Sequence, residues 1–312
     1  MGLKQPWSYR SGLFVFNYFC VLMNRIALFL VVFILLGCEK DINFKLDNAD
    51  PKMVVEATIE NNQPPRVILT RSVGYFAEIS PQDLAQSFIH NAQVWVSGSS
   101  GTHQLKEYTI PVTPDISFYY YSIDSSNLAT AFEGELNHSY ELKIVSEGQT
   151  YTAKTTIPGI TRVIDSIWVK PAPGKDSSKA IVMVRATDPP GFGDYIRYYT
   201  SINRGPFLPP FNSTFDDLFI DGTTYELQVQ PGVDRNTSSR DENLFNRGDT
   251  VTFKVSNIDK ATFDFWRTME YAYNSVGNPF STPSKVLGNI SNNALGYFGG
   301  YASQYHTLII PK

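Results

Sequence analysis

In SYELKIVSE (139–147) the side chains alternate with a period of two. Tyr140, Leu142 and Ile144 fall on one face, and Glu141, Lys143 and Val145 on the other. Successive side chains of an extended chain point to opposite faces, so this pattern describes a strand with one dry and one wetter side. A turn at Glu147-Gly148 leads into a second run, QTYTAKTTI (149–157). Similar β-branched and aromatic runs stand at KMVVEATIE (52–60), PRVILTRS (65–72), AQVWVSG (92–98), HQLKEYTI (103–110) and FYYYSI (118–123). Turn chemistry such as NQPP and SGSSG separates them. Short strands at regular spacing predict an antiparallel sandwich of immunoglobulin-like or transthyretin-like type over 52–158. SPQDLAQSF (80–88) predicts a short helical excursion.

IPGITR (157–162) reads as a junction, because Pro158 stops a strand and Gly159 frees the backbone. Beyond it, 159–312 is expected to form a second β-rich domain. Its strands are VIDSIWVK (163–170), KAIVMVRATD (179–188), DYIRYYTSIN (194–203), TTYELQVQ (223–230) and DTVTFKVSNI (249–258). Two long polar loops, RGPFLPPFNSTFDD and PGVDRNTSSRDENLFNRG, interrupt the series, and loops of such length often carry function. One helix is predicted near 260–275. Thr262, Phe265, Trp266, Met269 and Tyr273 share one helical face, Asp259 can cap the start and Gly277 can end it. That stripe is expected to be core. LGYFGGYASQYHTLII supplies a closing strand. The fold class is therefore all-β with one C-terminal helix.

The N-terminus sets the compartment. Ile26 to Leu36 is an unbroken apolar run of 11 residues, whereas a spanning helix needs about 20. Arg25 precedes the run and Leu35-Leu36-Gly37-Cys38 ends it. A basic residue, a short apolar segment and a small residue at the cut make a secretory signal. The last four residues resemble the lipobox of bacterial lipoproteins. Cleavage between Gly37 and Cys38 is expected, with Cys38 acylated. Residues 1–37 are thus a signal peptide and 38–51 a polar tether. Met23 opens a complete signal by itself and is the expected start; read from Met1, Lys4 and Arg10 lengthen the basic region. Loss of the signal removes Lys4, Arg10 and Arg25 but no acid, so the mature chain is more acidic than the net −4 of the whole sequence. An acidic surface repels phosphate backbones, so nucleic acid is not an expected partner. The two cysteines are Cys20 and Cys38, which leaves no disulfide, zinc cluster or cysteine nucleophile in the mature chain.

The segments LLGCEKD, PKMVVEATIENNQPPRVILTRSVGYF, DPPGFGDYIRYY, RGDTVTFKVSNIDKATFDFWRTME and NPFSTPSKVLGNISNNALGYFGGYAS, in that order, resemble domain-of-unknown-function family 4249. The likeness runs from 38 to about 305. The resemblance implies an outer-membrane lipoprotein of Bacteroidota, often encoded beside a TonB-dependent transporter, and Glu39, Lys40 and Asp41 just after Cys38 partly match that group's acidic signal for transfer to the cell surface. It therefore implies an accessory binding role in nutrient uptake, with such a transporter as partner and the membrane reached through the lipid. Only Cys38 carries a residue-level role over.

Catalytic signatures do not emerge. His90, His103, His138 and His306 stand in no ligand-like spacing, and HExxH, GxSxG and phosphate-loop patterns are lacking. GFG (191–193) fits a tight turn. Asp216, Asp217 and Asp221 in FDDLFIDG could hold calcium through hard oxygen ligands, but they miss the calcium-loop spacing, so a solvated turn is the expected reading. Asp234, Arg235, Arg240, Asp241 and Glu242 read as an exposed charge run. No catalytic residue, metal or cofactor is therefore expected. DSI (165–167) and DTV (249–251) resemble bacterial O-glycosylation sites. Aromatics in loops remain the best binding candidates: Tyr75, Phe76, Phe207, Phe211 and Phe215, with Phe192 beside them. Acid- and aromatic-rich loops also suit a surface glycan hydrolase, and sandwich modules also suit an adhesin.

Overall fold

The structure, a computed structural model, describes Arg25 and residues 50–73, 80–127, 130–174, 176–235, 244–278, 280–282 and 284–312. The signal, Gly37, Cys38, most of the tether, Tyr75, Phe76 and Arg240 to Glu242 lie outside these residues. Ala49–Lys312 forms one compact unit, and all that follows concerns it.

Among the described residues, the architecture is all-β with two helices. The first half carries β1 (Met53–Glu60), β2 (Arg66–Arg71), α1 (Pro81–Gln86), β3 (Gln93–Gly98), β4 (Gly101–Thr113), β5 (Ile116–Ser122), β6 (His138–Ser146) and β7 (Gln149–Ile157). The second carries β8 (Val163–Pro171), β9 (Lys179–Thr187), β10 (Tyr195–Ile202), β11 (Thr214–Phe215), β12 (Thr224–Val229), β13 (Phe245–Asn246), β14 (Thr250–Ile258), α2 (Lys260–Asn274) and β15 (Leu295–Ile309). The alternation in β6 places Tyr140, Leu142 and Ile144 in the interior, each at most 3% exposed. α1 begins with a capping box, in which Ser80 and Asp83 exchange side-chain and backbone bonds. Such a box satisfies backbone N–H groups that a helix start leaves unpaired.

Eleven strands form one hydrogen-bonded path, β11-β10-β14-β15-β1-β2-β5-β4-β3-β6-β7. β4 changes partner along its length: Gly101 to Leu105 pair with β3, and Lys106 to Thr113 pair with β5. The path therefore folds over on itself. Val55, Ala57 and Ile59 of β1 meet Val94 and Val96 of β3 and Leu142 and Ile144 of β6 in one core. Each fully buried aliphatic side chain of this kind contributes about 1.5–3 kcal/mol.

β1 and β15 pair in parallel, from Val54 with Leu295 to Glu60 with Tyr301. From Tyr301 onward β15 pairs antiparallel with β14. The strand that closes the chain thus lies beside the one that opens it, and the sheet runs through both segments expected on either side of 157–162. A second sheet, β12-β9-β13 with β8 on β9, covers β10 and β14. Val182 and Val184 of β9 pack there with Tyr198 and Phe253. The two-residue strands β11 and β13 fall inside the long loops.

α2 lies against the other face of β15. Its buried residues are Thr262, Phe263, Phe265 and Glu270, and Trp266 is partly buried against the same cluster. This corrects the expected stripe: Met269 is 37% and Tyr273 45% exposed. The helix buries a carboxylate instead, because Glu270 accepts the Ser213 N–H at 3.0 Å and the Ser213 hydroxyl. Ser275, not Gly277, is the C-cap, its N–H donating to Tyr271 O.

Candidate functional site

Two concavities lie beside α2. The larger is a groove of about 1020 Å³. One wall is α2 and the segment after it, with Phe263, Arg267, Tyr271 and Phe280. The other is β11, the following turn and β12, with Phe215, Phe219, Ile220, Tyr225 and Leu227. Apolar atoms dominate its surface. A narrower cleft of about 310 Å³ continues from it between the sheets and shares Arg162, Ile196, Phe215 and Tyr225 with it. Binding sites for small molecules occupy roughly 300–1000 Å³, so the groove is wide by that measure.

The rim carries the clearest signal. Phe219 is 92% and Phe280 94% exposed, and Tyr271 is more than half exposed. Single exposed apolar residues are ordinary, but a contiguous apolar patch rimmed by polar groups marks an interaction surface. The turn holding Phe219 is built by Asp217, whose carbonyl accepts Ile220 N–H at 3.0 Å and Asp221 N–H at 2.9 Å. Arg162 closes the base of the groove. Its guanidinium pairs with Asp188 at 2.6 Å, and both side chains are essentially inaccessible.

The second concavity is a basin of about 460 Å³ on the long sheet. Its floor comes from both ends of the chain: Glu56, Thr58 and Glu60 of β1, Arg197 and Tyr199 of β10, Lys254 of β14, and Tyr297 and Tyr301 of β15. Arg197 lies 3.3 Å from the Trp266 ring centre and 4.8 Å from that of Tyr199. Its Nε donates to Ser213 Oγ at 3.0 Å, and Ser213 is held by Glu270. Lys254 bonds Glu60 at 2.5 Å and faces the rings of Tyr199, Phe207 and Tyr305. Burial pushes the phenols of Tyr199 and Tyr297 upward, so both stay neutral donors. Cations over aromatic faces are attracted by the ring quadrupole, and more strongly where they are desolvated, so the basin presents held cations and polar groups on an aromatic floor.

The loop aromatics divide between these places. Phe215 lines the groove and Phe207 the basin. Phe211 lines neither; its carbonyl accepts from Asn274 at 3.4 Å. Phe192 is 73% exposed. The histidines remain apart: His90 bonds Glu107, His103 stacks on Phe132, His138 bonds the Leu136 carbonyl and His306 meets Gln304. Phe219 and Phe280 were not singled out from sequence. Phe219 sits inside FDDLFIDG, where the acids draw attention, yet a phenylalanine between a turn and a glycine is the usable signal.

The family's sequence profile, described as "Domain of unknown function (DUF4249)", matches residues 39–307. The chain belongs to that family. No curated protein matches it. The DUF4249 match covers β1 through most of β15, so the groove, the basin and the parallel pairing that joins the chain ends all lie within it. Among the described residues, no helix is long and apolar enough to cross a membrane.

Proposed function

We propose that this chain is a surface lipoprotein of the outer membrane, anchored through acylated Cys38, and that it serves a TonB-dependent transporter as an accessory binding component. The rim of the groove carries the reading: Phe219 and Phe280 stand almost fully in solvent beside an apolar wall. Aromatic side chains bring large contact area at low entropic cost and are the usual anchors of protein interfaces. The groove is the docking face for the transporter, and the partner's apolar side chains fill it. The leader supports the compartment, since the run Ile26 to Leu36 ends at Leu-Leu-Gly-Cys. A thioether-linked diacylglyceryl and an amide-linked acyl group anchor stably where a single chain does not.

Purification from its own detergent-solubilised outer membrane tests this reading. A transporter in stoichiometric amount is the expected companion, and a chain that emerges alone contradicts the proposal. Cys38→Ala should move the protein out of the membrane fraction; unchanged membrane content would refute the anchor.

A further inference from the structure

The turn between β9 and β10, DPPGFGD (188–194), folds against the turn between β11 and β12. Gly191 and Gly193 have φ of 122° and 117°, values that glycine adopts readily and L side chains rarely do. This lets their N–H groups face the neighbouring turn: Gly191 donates to Asp221 at 2.6 Å, and Gly193 and Asp194 donate to Asp217 Oδ2 at 2.7 and 3.0 Å. As a result one carboxylate oxygen each from Asp188, Asp194 and Asp217 lies within 4.8 Å of the other two. The sequence groups Asp217 with Asp216 and Asp221; the fold groups it with Asp188 and Asp194 instead.

Acidic clusters are common, and a second observation separates this one. The Asp188 side chain is fully buried. Its Oδ1 accepts from Arg162 Nε at 2.7 Å, while Oδ2, like the two Nη atoms of Arg162, has no hydrogen-bond partner among the described residues. A buried carboxylate oxygen without a partner is costly. Asp217 is also buried, at 3% exposure. Asp188 and Asp217 are buried and Asp194 is partly exposed, so three carboxylates meet there against the single guanidinium of Arg162. One divalent cation held among the three would offset the excess negative charge and could partner the free oxygen of Asp188. Oxygens brought this close need only a small further approach to reach the roughly 2.3–2.6 Å of calcium coordination, and calcium's flexible geometry accommodates an uneven oxygen set better than the near-ideal octahedron that magnesium demands.

The geometry points to a calcium site formed by Asp188, Asp194 and Asp217, which ties the 188–194 turn to the turn that presents Phe219 on the groove. This site is separate from the docking proposal, since an ion can bind here whatever fills the groove.

The test is calcium titration of the purified, chelator-stripped full chain by calorimetry, with hydrogen exchange before and after. One saturable site is expected, with a dissociation constant below about 10⁻³ M. Protection should rise over 188–194 and 216–223. Asp194→Asn is the informative variant: Asp194 is the most exposed of the three, and its amide oxygen still accepts from Thr161. It should fold as the parent does and lose at least about tenfold in calcium affinity. Three results would overturn the assignment: no saturable binding in that range, unchanged affinity in Asp194→Asn, or protection elsewhere in the chain. Equal affinity for magnesium would remove the assignment to calcium.

Discussion

Asp259 Oδ2 accepts the backbone N–H of Thr156 at 2.9 Å, across 103 residues of sequence. The same oxygen takes the Thr155 hydroxyl at 2.8 Å, while Oδ1 caps α2 by accepting Thr262 N–H at 2.8 Å. One side chain therefore starts the helix and ties it to β7. Asp259→Ala removes the cap and both ties, and should cost about 2–3 kcal/mol. Asp259→Asn keeps an acceptor for the cap and should cost less than half of that. Urea unfolding of both variants measures this; equal losses would mean that a neutral acceptor at 259 contributes nothing and that the whole effect depends on the carboxylate.

Gly296 sits opposite Val55 where β1 and β15 pair. Its φ is 96°, and a Cβ there would lie 1.9 Å from Val55 O, a backbone atom. The side chain would have to push the two strands apart. Gly296→Ala should lower stability by about 3 kcal/mol or more, through strain plus lost ladder bonds. Gly101→Ala, also at positive φ but with open space around it, should cost only the backbone term, about 1 kcal/mol. Thermal unfolding distinguishes the two; similar midpoints would show that close approach at Gly296 does not matter.

These two contacts mark what the sequence could and could not express. Strands such as β6 and β7 are legible because burial alternates residue by residue, and that signal is local. α2 is legible by its cap and period, but its second half is not: Met269 and Tyr273 fit the apolar stripe and yet face outward, because Glu270 turns inward to satisfy Ser213. The parallel pairing of Val54 to Glu60 with Leu295 to Tyr301 leaves no local trace, since either strand alone would suit many partners. The same holds for the site. Phe207 and Phe215 could be named as loop aromatics. The meeting of Asp188 with Asp217, or of Arg197 with Trp266, depends on long-range register that no short motif records.

Glu107 gathers three donors: His90 at 2.5 Å, Asn91 N–H at 2.9 Å and the Tyr121 hydroxyl at 3.0 Å. Burial raises its pKa, but these hydrogen bonds outweigh it and hold the carboxyl below its ordinary value of 4.5. A carboxyl with a depressed folded pKa stabilises the fold above the unfolded pKa, and the contribution disappears as pH falls through the folded one. Glu107→Gln should therefore cost about 1 kcal/mol at neutral pH. The gap between variant and parent should close below about pH 4.5. Denaturant midpoints between neutral and acid pH check this; a constant gap would mean that the ionised form is not favoured.

The exposed rim of the groove is where a docked transporter would make its strongest contacts. Phe219 and Phe280 contribute little to the core at 92% and 94% exposure, so Phe219→Ser with Phe280→Ser should change stability by less than about 0.5 kcal/mol. The decisive measurement is the amount of TonB-dependent transporter that co-purifies with the parent and with this double variant, both extracted from the native outer membrane. A stoichiometric transporter is expected with the parent and at least about a tenfold loss with the variant, since hot-spot residues of an interface, among which aromatics are enriched, carry about 2 kcal/mol or more. Recovery of the parent without a transporter, or equal recovery with both proteins, would contradict the proposed docking.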